Sequence, residues 1–172
     1  MEEIAICVGM SKRTVYARYA DKAALFSAAV RRAIERYTVP AEALEAVATD
    51  NLEETLTAIA RIRIVNISAP VAIKLQRVLS AQSYRFPELF SAAFEEGAGP
   101  TVRFLNQLFL RHSARGEIVV TEPQRTSLAF LSLVVGAPAR FIIAGMTIDQ
   151  SEIESHIRFA LGLFLNGLRR RC

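Results

Sequence analysis

The chain has 172 residues, 52% of them hydrophobic and 22% charged, with a formal net charge of +4. This composition excludes a disordered chain, and the length is sufficient for one long domain or two short ones around a buried core. The mild positive charge fits a nucleic-acid partner without establishing one. The two cysteines, Cys7 and Cys172, stand at opposite ends. This excludes a disulfide framework and predicts a cytoplasmic protein with a small, buried Cys7.

Helical periodicity dominates the chain and strand signals are nearly absent, so we predict an all-α fold. The first short helix presents one apolar face, formed by Ile4, Ala5 and Val8. Gly9 follows it, where a helix C-terminus favours a residue that tolerates the left-handed conformation. The acidic first residues do not resemble a signal peptide.

Two more helices are predicted before Pro40. Ser11 is the predicted N-cap of a helix from Lys12 to Tyr19, and Asp21 caps a helix from Lys22 to about Tyr37. The core stripe of this third helix is predicted to be Leu25, Phe26, Ala29, Ala33, Ile34 and Tyr37. We place a domain boundary here, which separates residues 1–38 from residues 39–172.

The remaining chain predicts a bundle of longer helices. They are expected over Leu44 to Ile67, Val71 to Tyr84, Pro87 to Phe94, Thr101 to Ser113, Gln124 to Met146 and from Ser151 to the C-terminus. Gly97 to Pro100 is predicted to be a turn, Gly116 a helix stop and Pro138 a kink. Ser151 is the predicted cap of the last helix, in a capping box with Glu154, and its basic end is Arg169 to Arg171.

The stretch from Leu128 to Ile148 is apolar and long enough to raise the question of a membrane span. It contains Pro138 and Arg140, and a charge in the middle of a span is costly in lipid. We therefore interpret it as a helix that is buried between subunits, and we expect no membrane association.

The first two helices, joined at Gly9-Met10-Ser11, form a candidate helix-turn-helix. Val15 is expected to face inward, while the other side chains of the second helix are hydrogen-bond donors. Such a helix reads base edges near its start, and its other cations hold phosphates. The alternatives are a solvated surface for the cations and ordinary packing for the tyrosines. The candidate DNA-binding residues are Ser11, Lys12, Arg13, Thr14, Tyr16, Arg18, Tyr19 and Lys22.

This segment resembles the DNA-binding signature of the TetR family of transcriptional regulators. The matching residues are Gly9, Ser11, Tyr16, Tyr19, Lys22, Leu25 and Phe26. The resemblance implies a ligand-binding and dimerisation region after the motif, whose final two helices pair across a two-fold axis. The segment from Val134 to Pro138 is similar to the AefR-like subgroup.

The TetR family places another helix of about a dozen residues before the one that contains Ile4, and the sequence begins after that point. A partial helix-turn-helix over residues 1–38 is expected to leave Ile4, Val8, Val15 and Phe26 under-covered. Two functions follow. The first is a DNA-binding regulator, specifically a ligand-responsive repressor. The second is a helical dimeric protein that binds ligands or partners but has lost DNA binding.

We expect three partners: palindromic double-stranded DNA, a small apolar effector and a second copy of the chain. The candidate ligand-binding residues are Arg77, Gln82, Tyr84, Phe90, Phe94, Phe104, Phe130 and Phe141. The candidate dimer interface is Leu131, Val135, Ile153, Ile157, Leu161, Phe164 and Leu168. The sequence has no nucleophile–base arrangement and no metal-ligand spacing, so we expect no enzyme activity, no cofactor and no metal.

Overall fold

The computed structural model describes residues 2–7 and 9–169. Within these ranges the chain is helical and contains no strand, so the predicted all-α fold is confirmed. The predictions on Val8, Arg170, Arg171 and Cys172 lie outside the described residues. The α-helices are α1 (Glu2–Cys7), α2 (Lys12–Arg18), α3 (Lys22–Tyr37), α4 (Ala41–Glu45), α5 (Leu52–Ser68), α6 (Pro70–Gln82), α7 (Pro87–Ala92), α8 (Gly99–Ala114), α9 (Pro123–Phe130), α10 (Gly136–Ala144) and α11 (Gln150–Leu168). Two π-helical segments, Ala93–Ala98 and Leu131–Val135, connect α7 to α8 and α9 to α10.

The helix ends predicted at Gly9, Ser11, Asp21 and Gly116 are confirmed. Gly9 adopts φ +63° after α1, and Gly116 adopts φ +75° after α8. The Ser11 side chain accepts a hydrogen bond from the backbone N–H of Thr14 at the start of α2. Asp21 does the same for Ala24 at the start of α3. These bonds satisfy amides that have no partner within the first turn of a helix.

Two burial predictions in this region are wrong. Cys7 is exposed rather than buried. In α3, Ala29 is exposed and Val30 is buried, because the helix turns its Val30 and Ile34 edge toward α6 and α7. The other predicted stripe residues of α3 are buried or half-buried.

The single helix predicted from Leu44 to Ile67 is wrong, because the chain leaves helical geometry between α4 and α5. Short polar side chains offer the backbone other partners there. The backbone N–H of Thr49 donates to Thr55 Oγ1 at 2.9 Å, and the Asn51 side chain accepts from the backbone N–H of Glu54. Asn51 is thus the N-cap of α5.

The turn predicted at Gly97 to Pro100 is also wrong. The π-helical segment Ala93–Ala98 passes directly into α8, with Pro100 in the first turn of α8. Proline is tolerated there because the first amides of a helix have no intrahelical acceptor.

The irregularity predicted at Pro138 takes the form of the π-helical segment Leu131–Val135, one turn earlier. Proline has no N–H to donate to the carbonyl four residues before it, which is that of Val134. His156 Nε2 of α11 lies 3.2 Å from this oxygen and 3.3 Å from that of Leu133. A side chain of α11 thus provides a partner for carbonyls of the π-helical segment.

The last helix begins earlier than predicted. Its N-cap is Asp149 rather than Ser151, and the capping box pairs Asp149 with Glu152 rather than Ser151 with Glu154. Ser151 instead donates from Oγ to Asp149 Oδ1 at 2.7 Å.

The main hydrophobic core lies among α4, α5, α8, α9, α11 and the π-helical segment Leu131–Val135. Its centre contains Phe109, Phe130 and Phe164, whose rings pack at centroid distances of 5.7 Å (Phe109 to Phe164) and 5.5 Å (Phe130 to Phe164). A smaller cluster of Val30, Ile34, Leu79 and Leu89 joins α3 to α6 and α7. Any movement of α3 must therefore be accommodated by α6 and α7.

One helical stretch among the described residues, Pro123–Ala144, is long and apolar enough to cross a membrane, and α5 with α6 reaches the same criterion as a bent pair. In the first stretch, Phe130, Val134 and Val135 lie in the main core of the chain. Packing within the bundle therefore accounts for part of this hydrophobicity.

Candidate functional site

Helix α2 buries one residue, Val15, which is 5% exposed. Its inward orientation is as predicted, and it fixes α2 while leaving the other faces free. Ser11 and Thr14 lie at the start of α2, with their hydroxyl oxygens 2.7 Å apart. The helix is thus held by one apolar anchor and one cap.

The eight candidate DNA-binding residues lie on or beside α2. Seven of them are exposed: Ser11, Lys12, Arg13, Thr14, Tyr16, Arg18 and Lys22. Tyr19 is half-buried. Lys12 Nζ lies 3.5 Å from Glu2 Oε2, an exposed ion pair that a phosphate must displace. Together these side chains form a cationic surface that is rich in hydroxyl groups.

The expected under-covering of the first helices is found in part. Ile4 is 37% exposed and its neighbour Ile6 is 75% exposed. Val15, by contrast, is buried, and Phe26 is half-buried against Phe86 at a ring centroid distance of 5.1 Å. Phe86, which immediately precedes α7, thus covers Phe26. The prediction that Val15 and Phe26 are under-covered is therefore wrong.

The candidate ligand-binding residues do not come together in one place. Phe90 and Phe94 line one cavity, Arg77 a second, Phe104 a third and Phe141 a fourth. Tyr84 is fully exposed. Phe130 is fully buried in the main core, where it contacts Phe164, so its assignment as a ligand residue is wrong.

The cavity beside Phe90 and Phe94 has a volume of about 180 Å³ and lies among α3, α5, α6 and the π-helical segment Ala93–Ala98. We call it the Arg63 cavity. Its walls are mainly apolar, and Arg63 of α5 is its one buried charged residue, 8% exposed. Arg63 Nη1 donates to the backbone oxygen of Gly97 at 3.3 Å, while Nε has no partner among the described residues. Burial lowers the pKa of this guanidinium, which remains charged at neutral pH.

Sequence reasoning missed Arg63, although a signal was present. Its helical neighbours four residues away on each side are Ile59 and Ile67. An arginine whose helix face is otherwise apolar is expected to be buried with that face.

The π-helical segment Ala93–Ala98 is bonded to α3 as well as to Arg63. Thr38 Oγ1 lies 2.9 Å from the backbone oxygen of Ile34 and 3.2 Å from that of Glu96, and these two acceptors share its one hydroxyl proton. Arg31 Nη1 lies 3.2 Å from Glu96 Oε1. The segment therefore connects the cavity to the helix that follows α2.

A second cavity, of about 620 Å³, lies between α5, α6 and the start of α11. Its cations are already engaged or exposed. Arg61 forms two hydrogen bonds to Glu154, at 2.9 Å and 2.7 Å, which raise the pKa of Arg61 and lower that of Glu154. Arg77 Nε donates to the backbone oxygen of Ile143 at 2.8 Å.

A family model, described as the C-terminal domain of AefR-like transcriptional repressors, matches residues 54–167. This is about two thirds of the chain, and it covers the bundle from α5 to α11. The chain belongs to the TetR family of transcriptional regulators. No curated protein sequence matches it.

Two solved structures share the architecture of this TetR-family regulator. One is a TetR-family transcriptional regulator from Mesorhizobium loti MAFF303099, with a TM-score of 0.80 and 24% identity, covering 98% of this chain and 86% of that one. The other is the flavonoid-responsive regulator FrrA, with a TM-score of 0.75 and 28% identity, covering 100% of this chain and 87% of that one. The first similarity is one of fold. Both structural matches extend over the N-terminal helices, which the family model does not reach.

The stripe predicted as the dimer interface of the regulator lies inside its own core. Val135, Ile157, Leu161 and Phe164 are buried in the main core. Leu131, Ile153 and Leu168 are half-buried and pack against it. The prediction selected the wrong face of α11, because the bundle of one chain already buries this stripe.

A different apolar surface of the regulator is exposed. Phe159 and Leu163 of α11 are 69% and 53% exposed, and they lie one turn apart. Phe141 and Met146 line the same groove as Phe159 and are also about half exposed. We call Phe141, Met146, Phe159 and Leu163 the α11 patch. The spacing of Phe159 and Leu163, at i and i+4 on α11, was a signal for it in the sequence.

Among residues 2–7 and 9–169 of the regulator, no three His, Cys, Asp or Glu side chains lie close enough together to hold a metal ion. The buried His112 instead pairs with Glu117, at 2.6 Å between Nδ1 and Oε2.

Proposed function

We propose that the protein is a ligand-responsive repressor that binds palindromic duplex DNA as a homodimer in the cytoplasm. The observation that supports this most directly is α2. It buries Val15 alone and exposes cations and hydroxyl groups around the rest of its circumference. In the proposed division, residues 1–38 bind DNA and residues 39–172 bind ligand and form the dimer.

Within this proposal the residues near the start of α2 contact base edges, and the remaining cations hold phosphates. Lys12, Arg13 and Thr14 occupy the first turn of α2, where a recognition helix approaches the groove. Lys22 stands in the first turn of α3, beside free backbone amides that attract a phosphate.

The proposed dimer forms through the α11 patch. Large exposed apolar surfaces are uncommon on monomers, and a patch that meets its own copy across a two-fold axis removes both surfaces from water. Such a dimer would present two copies of α2, which the operator must match at about 34–36 Å or a multiple of this distance.

The proposed effector is a small, mostly apolar molecule that binds the helical body and lowers operator affinity. The body has cavities, and the flavonoid-responsive regulator FrrA shares its fold. We propose no catalytic step for the protein.

The test is selection of bound duplexes from a genomic fragment library by the full chain, followed by affinity measurements over a range of salt concentrations. Binding is expected to weaken steeply with salt, because each phosphate contact releases counterions. Substituting both Arg18→Ala and Lys22→Ala removes two of the cations assigned to phosphates, so it is expected to lower the magnitude of the slope of log K against log salt by about 2.

The matched control is the double substitution Arg103→Ala and Arg111→Ala. It removes the same charge from exposed positions of α8. This control is expected to leave the salt slope unchanged. A chain that enriches no duplex, or whose two double variants lose affinity equally, would refute the proposed DNA interface.

A further inference from the structure

The Arg63 cavity holds a buried positive charge that the described part of the chain leaves without a counter-ion. None of the ion pairs among residues 2–7 and 9–169 includes Arg63. Within the same ranges its guanidinium forms one hydrogen bond, of 3.3 Å to a neutral carbonyl oxygen, and its Nε is buried without an acceptor. Buried charges in proteins are normally paired, because an unpaired one is costly to remove from water.

The size and walls of the cavity restrict what pairs with this charge. A volume of about 180 Å³ is close to the roughly 150 Å³ of a cavity that accepts benzene, so it suits one ring rather than several fused rings. Ile34, Leu75 and Leu79 supply apolar walls, and Phe90 and Phe94 stand half-exposed at its edge. Two aromatic side chains in this position favour a flat apolar partner.

We propose that the Arg63 cavity is the effector site and that it takes a small carboxylic acid with a single ring or a short chain. The carboxylate pairs with the Arg63 guanidinium, which presents donors in a geometry that matches two carboxylate oxygens. The apolar part packs against α3 and α6. This inference rests on the proposed function in one respect, that the ligand changes DNA affinity. The binding itself is independent of DNA.

The same contacts supply a path from the ligand to the DNA-binding segment. A carboxylate on Arg63 competes with the backbone oxygen of Gly97, which lies in the π-helical segment Ala93–Ala98. That segment is held to α3 by Thr38 and Arg31 through Glu96. Loss of the Arg63 bond frees the segment to shift, and α3 shifts with it. The two-site coupling thus operates through one short element that both sites contact.

The first experiment measures binding by titration calorimetry without DNA. The probes are benzoate, cyclohexanecarboxylate and hexanoate, with benzamide as a neutral molecule of the same shape as benzoate. At least one acid is expected to bind at millimolar concentration or below, and benzamide at least tenfold more weakly than benzoate. An ionic hydrogen-bonded pair in a mainly apolar site accounts for this preference.

The matched variants are Arg63→Met and Arg77→Met. Arg63→Met keeps most of the side-chain length and removes the charge, so it is expected to weaken acid binding at least tenfold without lowering the melting temperature. Arg77→Met alters the larger cavity and is expected to leave acid binding unchanged. Failure of all three acids to bind, or acid binding that survives Arg63→Met, would overturn the proposal.

The second experiment separates binding from coupling. Thr38→Val removes the hydroxyl that bonds the Glu96 backbone oxygen but keeps the side-chain shape. The variant is expected to bind the acid like the wild type, while the acid changes its affinity for a selected duplex less than it changes that of the wild type. Equal coupling in both proteins would contradict the path through Thr38. If the acid binds through Arg63 but no duplex is ever bound, the site stands and the repressor proposal fails.

Discussion

The segment before Val39 and the body that follows it are held together in different ways. Among the described residues up to 38, four hydrophobic side chains are buried, namely Ala5, Val15, Val30 and Ile34, and the last two pack against α6 and α7. In the described part of the body, residues 39–169, one cluster of 19 buried residues spans five helices and the π-helical segment Leu131–Val135. The N-terminal segment thus depends on caps and on contacts with the body, whereas the body depends on its own core. A segment that depends on few contacts is easy to reposition, which suits a part that must respond to a ligand.

This difference is tested most severely at the centre of the core. Phe130 is fully buried between Phe164 and its neighbours, and Phe130→Ala removes a ring that the surroundings cannot replace. We expect the free energy of unfolding to fall by about 3–5 kcal/mol, measured by chemical denaturation.

The control for Phe130→Ala is Tyr16→Ala on α2, where the side chain is 46% exposed. We expect a change within about 0.5 kcal/mol, which is typical of exposed positions. If the two substitutions had similar effects, the contrast between a core-dependent body and a cap-dependent N-terminal segment would be wrong.

The next effect concerns the outer face of the body. Phe159→Glu places a charge in the middle of the α11 patch, and in a dimer that charge would be buried against its own copy. We expect the variant to sediment as a folded monomer at a micromolar concentration at which the wild type is a dimer.

Leu110→Glu on α8 is the matched control, because Leu110 is also exposed, at 45%. It is expected to sediment like the wild type. A wild-type chain that is already monomeric, or equal dissociation of both variants, would remove the α11 patch as the interface.

Helix α11 shows why the sequence predicts this interface poorly. Both of its faces are apolar, since Ile157, Leu161 and Phe164 share one and Phe159 and Leu163 another. Periodicity establishes that a face is buried but not whether the covering atoms belong to the same chain or to a partner. The packing of α5, α8 and α9 decides this, and it assigns the first face to the core. For the same reason Ile157→Glu would test folding rather than assembly.

The predictions of helix ends that succeeded concern interactions within about one turn. Gly9, Ser11 and Asp21 each act on residues at most four positions away, so the local sequence contains the information. The start of α11 was ambiguous even locally, because Asp149 and Ser151 are both good caps and each has a glutamate three residues later. Arg63 lies at the other extreme, since its partner Gly97 is 34 residues away.

A smaller effect is expected at the cap of α2. Ser11→Ala removes the acceptor for the Thr14 amide, which is typically worth about 1 kcal/mol. Because few other contacts hold α2, we expect this loss to appear as local opening. Amide hydrogen exchange in residues 12–18 should accelerate about fivefold, with little change in the body.

The control for the cap is Ser80→Ala on the exposed side of α6. Its exchange is expected to match the wild type. If Ser11→Ala lowered the melting temperature of the whole chain without accelerating exchange in α2, the view that this helix opens independently would be wrong.

The smallest effect concerns pH and the start of α11. Two carboxyl groups there have lowered pKa values, Asp149 chiefly through the hydrogen bond from Ser151, and Glu154 chiefly through its bonds to Arg61. A group whose pKa is lowered by folding stabilises the folded state above its unfolded pKa, which is about 4 for these side chains. That contribution is lost as the pH falls through the lowered folded value. Stability is therefore expected to decline below about pH 4, and modestly, because both groups are near solvent.

Melting temperatures between pH 5 and pH 3 measure this decline, and Glu154→Gln isolates one contributor. The glutamine amide carries no charge at any pH and cannot form the ion pair with Arg61. The variant is therefore expected to be less stable than the wild type at pH 5, and the difference is expected to shrink as the pH falls and the wild-type carboxylate is protonated. Glu35→Gln, on the exposed side of α3, is the control and is expected to follow the wild-type curve more closely. Because Arg61 joins α5 to α11 within the body, the effect should leave hydrogen exchange in α2 unchanged. Parallel curves for Glu154→Gln and the wild type, or an equal acid response in α2, would show that this ion pair does not contribute to the separate stability of the body.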